Sequence, residues 1–313
     1  MPRYLCDLHT HSLRSDGNDT VRELIDHAAE AGMKVIALTD HDVCPPEAID
    51  VDGVMVDPVA YAADKGLAFV PGIEYSCDTF VDDVHIVGLG CDFSLPDFLE
   101  AERAMAQSKV NAYRKLTEVL VENGIHVTWD DVLEGGAQGR RADGEVQRKH
   151  IFEAIAQKGY AKSWQEAKLL VRDNPVYNVR REKIDPLQAI AIIKKAGGIP
   201  ILAHPYLIDE MVCANGMETT RGEYIERLIQ GGLMGIEAAY PYDKTSYKGT
   251  QTNEEIQREV VQNYVGRLAV ISGGSDYHAD AKKGVLNPRM LGDGGVDYPY
   301  FCGNPYLALL TRG

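Results

Sequence analysis

Two histidines one residue apart, His9 and His11 in DLHTHS, are the first feature of this sequence that could do chemistry. Alternate residues of a strand point to one face, so both imidazoles project together and suit a single ion. Similar side chains recur where apolar runs end. Asp40, His41 and Asp42 close VIALTDHD, Glu74 sits in VPGIEYS, His85 opens HIVGLG, His204 follows ILA, and Asp276 and His278 end GGSDYH. Asp16 lies in a short SDG turn shortly after the first pair. So many imidazoles and carboxylates gathered at strand ends would repel and desolvate one another unless divalent cations held them. Ligands of these types without thiolates favour Zn, Mn or Fe. Several such ions close together can bridge a phosphate, activate water as hydroxide and stabilise the leaving oxygen.

The elements that must position these residues follow a βα rhythm. Strands are expected at 4–11, 35–42, 68–77 and 84–90, and again at 199–204, 235–240 and 268–276. Thr20 and Glu23 form a capping box ahead of a helix ending at Gly32, with Leu24, Ile25 and Ala28 on its apolar face. Further helices are expected over 223–230 and 253–264. Parallel strands arranged as a barrel bring their C-terminal ends to one mouth, where active sites of such barrels lie. Residues 95–198 read instead as mostly helical, with helices at 97–123, 147–158, 163–171 and 186–196. This gives a barrel domain of residues 1–94 and 199–313 interrupted by a helical insertion, 95–198. Within it, GGAQGRRADGEVQRKH is Gly-rich and basic, as suits a loop facing substrate. The tail reads as an irregular loop, 280–303, before a last strand at 306–310.

Composition limits the partners. At 313 residues with a formal net charge of -15, the chain is not expected to bind duplex nucleic acid, because that charge opposes tight nonspecific association. An anionic ligand needs a local positive site, which bound divalent cations would supply. The six cysteines are scattered without CxxC spacing, as expected of reduced thiols in a cytoplasm. The start, MPRYLCDLHTHS, shows no basic region followed by an apolar stretch, and no long apolar run occurs, so neither export nor a membrane association is expected.

The order DLHTHS, SDG, TDHD, GIEYS, HIVGLG, AHP and GGSDYH resembles the polymerase and histidinol phosphatase (PHP) superfamily over nearly the whole chain. Within it, QRKHIFEAIAQKGY resembles the GRPHIARALVEKG segment of phosphoesterases related to the 3',5'-nucleoside bisphosphate phosphatases. The resemblance implies an α/β fold, a distorted (β/α)7 barrel, and two or three divalent ions. Carried over motif by motif, it implies His9, His11, Glu74 and Asp276 around one ion, Glu74 bridging to a second with His85 and His204, and Asp16, His41 and His278 around a third. It also implies that Arg148 and His150 grip the substrate's phosphate, a task suited to arginine's planar fork. Lys149 stands where the family has proline, and HADAKKG replaces the more usual HGxxKPG, so this chain departs from its relatives where substrate is met.

The implied activity is hydrolysis of phosphate monoesters, above all of nucleotides such as 3',5'-nucleoside bisphosphates. Two other substrates fit the same ions: short RNA or DNA trimmed from the 5' end, and histidinol phosphate. A silent binding module is the reading from another class, and the retention of every ligand type argues against it. Asp40, beside His41, is expected to orient a ligand imidazole by a hydrogen bond. Arg140 and Arg141 read as solvated charges, and His27 as structural. Tyr240 and Tyr242 stand at a strand end, placed either to stack on a base or to pack against loops.

Overall fold

The computed structural model describes residues 2–134, 139–214 and 216–311. Its chain divides into two compact units, 1–102 with 184–313, and 103–183.

The first unit is built on a seven-stranded sheet, with β1 Cys6–Thr10, β2 Val35–Leu38, β3 Ala68–Ser76, β4 His85–Leu89, β5 Ile199–Leu202, β6 Gly235–Ala239 and β7 Val270–Gly273, hydrogen-bonded in that order. A bridge between Thr10 and Tyr277 brings the end of the sheet back to its start, so the sheet is a nearly closed barrel. Most strand residues are buried, which matches their unbroken apolar runs.

One expectation needs correcting. The sheet is mixed, because β4 runs antiparallel to both β3 and β5. That reversal explains His85: the residue opening β4 pairs with Ser76, near the end of β3, and so reaches the mouth where the other strands finish.

Helix α1, Val21–Glu30, carries the expected capping box between Thr20 and Glu23. It buries Leu24, Ile25 and Ala28 against Ile36, Leu38 and Phe69. A second apolar cluster joins Leu8, Val35, Val70, Val87 and Ile201 to Phe301 and Leu307 from the tail. Of the tail residues 306–310, expected as a strand, 307–310 lie instead in the short 3-10 helix Leu307–Thr311. The Asn304 side chain accepts from the amides of Tyr306 and Leu307, which turns the chain at the start of that helix and competes with an extended strand. Two small hairpins, Ile49–Val51 with Val54–Val56 and Met211–Ala214 with Met217–Thr220, also went unseen in the sequence. Helix Pro186–Lys195 belongs to this first unit, with Ile193 seated against Gly88 of β4.

The second unit has its own apolar core, including Leu116, Leu120, Val132, Ile151, Ile155 and Val171. Its helices are Trp129–Glu134, Arg148–Gln157 and Trp164–Arg172, with most of the long helix Pro96–Glu122. Part of the Gly-rich loop, 135–138, lies outside the described residues. Among the described residues no helix is long and apolar enough to cross a membrane, and all six cysteines are free.

Candidate metal centre

Glu74 is the centre of the site. Its carboxylate is fully buried, and five imidazoles surround it. Oε2 lies 3.2 Å from Nε2 of His9, 3.2 Å from Nε2 of His11 and 3.0 Å from Nδ1 of His41. Oε1 lies 3.0 Å from Nδ1 of His85 and 3.3 Å from Nε2 of His204. The two ring nitrogens of His9 and His11 are themselves only 3.1 Å apart.

The rest of the set is close by. Asp276 Oδ1 lies 3.1 Å from His11 Nε2, and His278 Nε2 lies 3.0 Å from Asp16 Oδ1. Ligand atoms of His9, His11 and Glu74 gather within 4.8 Å of one another, as do those of His41, Glu74 and His85, and those of His11, Asp16, His41 and His278. All nine histidines and carboxylates expected as ligands therefore meet at one mouth. Their grouping differs in detail: His41 approaches Glu74 as closely as His85 does, and His11 joins the Asp16 group.

Local structure shows how the chain achieves this. The turn between His11 and Asp16 folds back on itself, and a Cβ at Gly17 would lie 2.6 Å from the His11 carbonyl oxygen. Gly274 has a similar role: a Cβ there would sit 2.2 Å from Cβ of His9, so only glycine lets the end of β7 pass this close to β1. His204 and Asp276 both hold left-handed backbone, with φ of 28° and 52°. Such conformations cost about 1–3 kcal/mol each and persist where surroundings dictate them. Here the His204 amide donates to Glu237 Oε2 at 2.7 Å, and the Asp276 amide donates to the His9 carbonyl at 2.9 Å.

Charge and burial oppose each other across the cluster. Burial alone would lower the His9 and His11 imidazoles. Glu74, Glu237 and Asp276 outweigh it and raise His9 well above its usual value, while Asp276 and Glu74 lift His11 to about 10. Burial would raise Glu74 and Asp276, yet the imidazoles around them hold both well below the usual carboxylate range. His41 is lowered to about 4, because burial there exceeds the pull of Glu74 and neighbouring His11 opposes its charge.

These residues fit divalent cations. Glu74 Oε2, with three ring nitrogens in reach, accepts no hydrogen bond, and the buried Nδ1 of His204 has no partner. The Oε2 lone pairs call for a cation or a suitably directed donor, and they lie among ring nitrogens that can share that cation.

Two carboxylates support the cluster from outside. Glu237, on β6 and 1% exposed, accepts a hydrogen bond from His9 Nδ1 at 3.0 Å, so Nε2 is the nitrogen turned toward Glu74. Glu237 was missed in the sequence, although an acid inside the apolar run GIEAAY was a usable signal. Asp40 differs from its expected role. It accepts from Ser12 N, Ser12 Oγ and Ser15 Oγ at 2.7, 2.6 and 2.6 Å, so it braces the turn between His11 and Asp16 and bonds no imidazole in the described contacts.

Tyr240 and Tyr242 pack. Tyr240 donates to Asp276 Oδ2 at 2.8 Å with its ring 5.3 Å from that of His204, and buried Tyr242 accepts from the Tyr206 amide. His27 is structural as expected, with Nδ1 2.7 Å from Asp19.

Arg148 and His150 lie in the second unit, in the first turn of helix Arg148–Gln157. His150 Nδ1 accepts from the Gln147 amide at 3.1 Å, and the Arg148 guanidinium stands 6.0 Å from the Phe152 ring centroid. Arg140 pairs with Asp130, but Arg141 is mostly covered and donates to the Val132 carbonyl, so it is not the solvated charge its sequence context suggested.

The mouth opens to solvent through a cleft of about 310 Å³ walled by His41, His85, His204, Asp276, His278 and Arg289, among others. A groove of about 740 Å³ between Arg14, Arg22 and Asp50 is larger, but it holds no imidazole. Ligand chemistry, not volume, marks the site. A barrel mouth lined by imidazoles and carboxylates in this way defines a metal-dependent hydrolase.

Comparison with known proteins makes the assignment specific. The PHP domain family matches residues 7–182, and the chain belongs to that family of metal-dependent phosphoesterases. It is 29% identical to a 3',5'-nucleoside bisphosphate phosphatase of Chromobacterium violaceum over 89% of this chain and 88% of that protein. It is 27% identical to a phosphoribosyl 1,2-cyclic phosphate 1,2-diphosphodiesterase of Eggerthella lenta, over 87% and 93%. A 5'-3' exoribonuclease of Haemophilus influenzae is 32% identical over 64% and 68%. Among solved structures, an amidohydrolase of Chromobacterium violaceum with bound sulfate and no metal superimposes with a TM-score of 0.58 at 26% identity, covering 88% of this chain and 87% of that one. A Bifidobacterium adolescentis protein classed among metal-dependent phosphoesterases shares the fold, with a TM-score of 0.64 at 22% identity, over 97% and 96%.

Proposed function

We propose that this enzyme removes phosphate from nucleotides, with 3',5'-nucleoside bisphosphates as the favoured class, using two or three divalent ions of Mn, Zn or Fe. The observation that carries the reading is the buried Glu74 carboxylate with five imidazole nitrogens at 3.0–3.3 Å. His9, His11, Glu74 and Asp276 would hold one ion, Glu74, His85 and His204 a second, and Asp16, His41 and His278 a third. When bound, such ions supply positive charge for the phosphate and acidify a water for attack.

The chain's own residues do the rest. Glu237 keeps the His9 proton on Nδ1, so that Nε2 faces inward. Asp40 fixes the turn that presents His11 and Asp16. Arg148 and His150 of the helical insertion, 95–198 in its sequence limits, grip a substrate phosphate. With every cysteine free, the enzyme suits the reducing cytoplasm.

The Chromobacterium relative supports the nucleotide class, and the Haemophilus relative supports a second reading, stepwise cleavage of short oligonucleotides. Purified enzyme given adenosine 3',5'-bisphosphate, AMP, a 5'-labelled trinucleotide and histidinol phosphate separates these. Phosphate release from the bisphosphate at the highest kcat/KM supports the first reading. Mononucleotides released stepwise from the labelled trinucleotide favour the second, and preference for histidinol phosphate overturns both.

A further inference from the structure

Arg289 stands in the irregular segment after β7, yet its side chain lines the same cleft as His41, His204 and His278. The guanidinium is 16% exposed and turned inward. Nη1 donates to Asp276 Oδ2, while Nε and Nη2 share Asp280 Oδ2 at 3.3 and 3.1 Å.

This pose leaves the fork incompletely used. The second Nη2 proton points at His278 Nδ1, 3.1 Å away. That nitrogen also lies 2.8 Å from the Asp276 carbonyl oxygen, which can only accept, so Nδ1 carries the proton and meets Arg289 as a second donor. Asp276 is a divided partner too, since its Oδ2 also accepts from Tyr240 and its Oδ1 faces His11. Cations held by Asp276 would loosen its pull on Arg289 further. Lys244 meanwhile fixes the segment, with Nζ bonded to the Pro288 carbonyl at 3.1 Å and to Asp293 at 2.8 Å.

We propose that Arg289, steered by Asp280, is a substrate-binding residue whose guanidinium takes an oxygen of the bound phosphate. The proposal rests on the phosphoesterase reading and adds a phosphate ligand from the barrel itself. Arginine's planar fork, in which one Nη1 proton and the Nη2 proton facing His278 have no carboxylate partner, matches a tetrahedral oxyanion better than a point charge would.

The test is binding of inorganic phosphate to the manganese-loaded enzyme by calorimetry, with bound manganese counted in parallel. Arg289→Gln is expected to weaken phosphate binding by about 10- to 100-fold, the value of one charged hydrogen bond, while manganese content stays at the wild-type level. Added guanidinium should restore part of the loss. Unchanged phosphate affinity overturns the proposal. If Arg289→Gln sheds manganese, Arg289→Lys decides, because it keeps a cation beside Asp276 without the fork: weakened phosphate binding with manganese retained supports the proposal, and wild-type affinity overturns it. Wild-type enzyme that neither binds phosphate nor cleaves any phosphate ester would instead refute the phosphoesterase reading.

Discussion

Replacing Glu237 by glutamine isolates the support of the cluster from the cluster itself. In the wild type Oε1 accepts from His9 Nδ1 at 3.0 Å and Oε2 accepts from the His204 amide at 2.7 Å. An amide of the same shape keeps one acceptor and puts an N–H against whichever donor remains. A buried donor left without a partner costs about 1–3 kcal/mol. If the amide oxygen stays on the His204 backbone, the loss falls on His9, whose ring is then free to flip its tautomer. Loss of such a partner to a metal-binding histidine typically weakens metal affinity about 10- to 100-fold. Calorimetric titration of manganese into metal-free Glu237→Gln should show a weakening of that size, and melting of the metal-free protein should shift only modestly. Glu237→Asp, which keeps the charge but loses reach, should fall between. Wild-type manganese affinity in a folded Glu237→Gln protein would refute the positioning role.

Gly274→Ala should push β7 away from His9, because the new methyl would sit 2.2 Å from its Cβ; a loss of about 1–3 kcal/mol in thermal stability with lowered metal content is expected, and unaltered melting and metal content would contradict the close approach. Asp40→Asn should release the turn from 12 to 15 and lower both activity and metal occupancy, measured by turnover and elemental analysis, since its two oxygens hold three donors now. Metal uptake should expel protons: His9 and His11 hold theirs above the ordinary histidine value, His11 up to about 10, and coordination needs neutral rings. Apparent affinity should therefore rise with pH, and titration in buffers of different ionisation enthalpy should report proton release at pH 7. The same raised values stabilise the metal-free fold fully below about 6.5, a contribution lost as pH rises through about 10, so metal-free protein should melt lower at alkaline pH.

What the sequence revealed and what it hid have physical causes. His9 and His11 were legible because a strand alternates, and the helix at Thr20 because its capping box is a local signal. The reversed direction of β4 was hidden, since pairing direction lives in contacts between distant segments and β4 itself reads like any buried strand. The 3-10 helix at Leu307 was hidden for a similar reason: the apolar run YLALL fits either structure until the Asn304 side chain decides. Glu237 and Arg289 fall between these cases. Each is a charge of a type the sequence displays plainly, but only folding shows that one reaches His9 and the other reaches Asp276.

The central claim, that Glu74 and its ring of imidazoles form a shared cation site, is tested most directly by anomalous diffraction at the manganese edge on crystals grown with manganese. Peaks about 2.0–2.2 Å from His9 Nε2, His11 Nε2 and Glu74, with a second between Glu74 and His85, are the predicted result. Ordered manganese only elsewhere on the surface, with Glu74 instead accepting protons from its histidines, would contradict it.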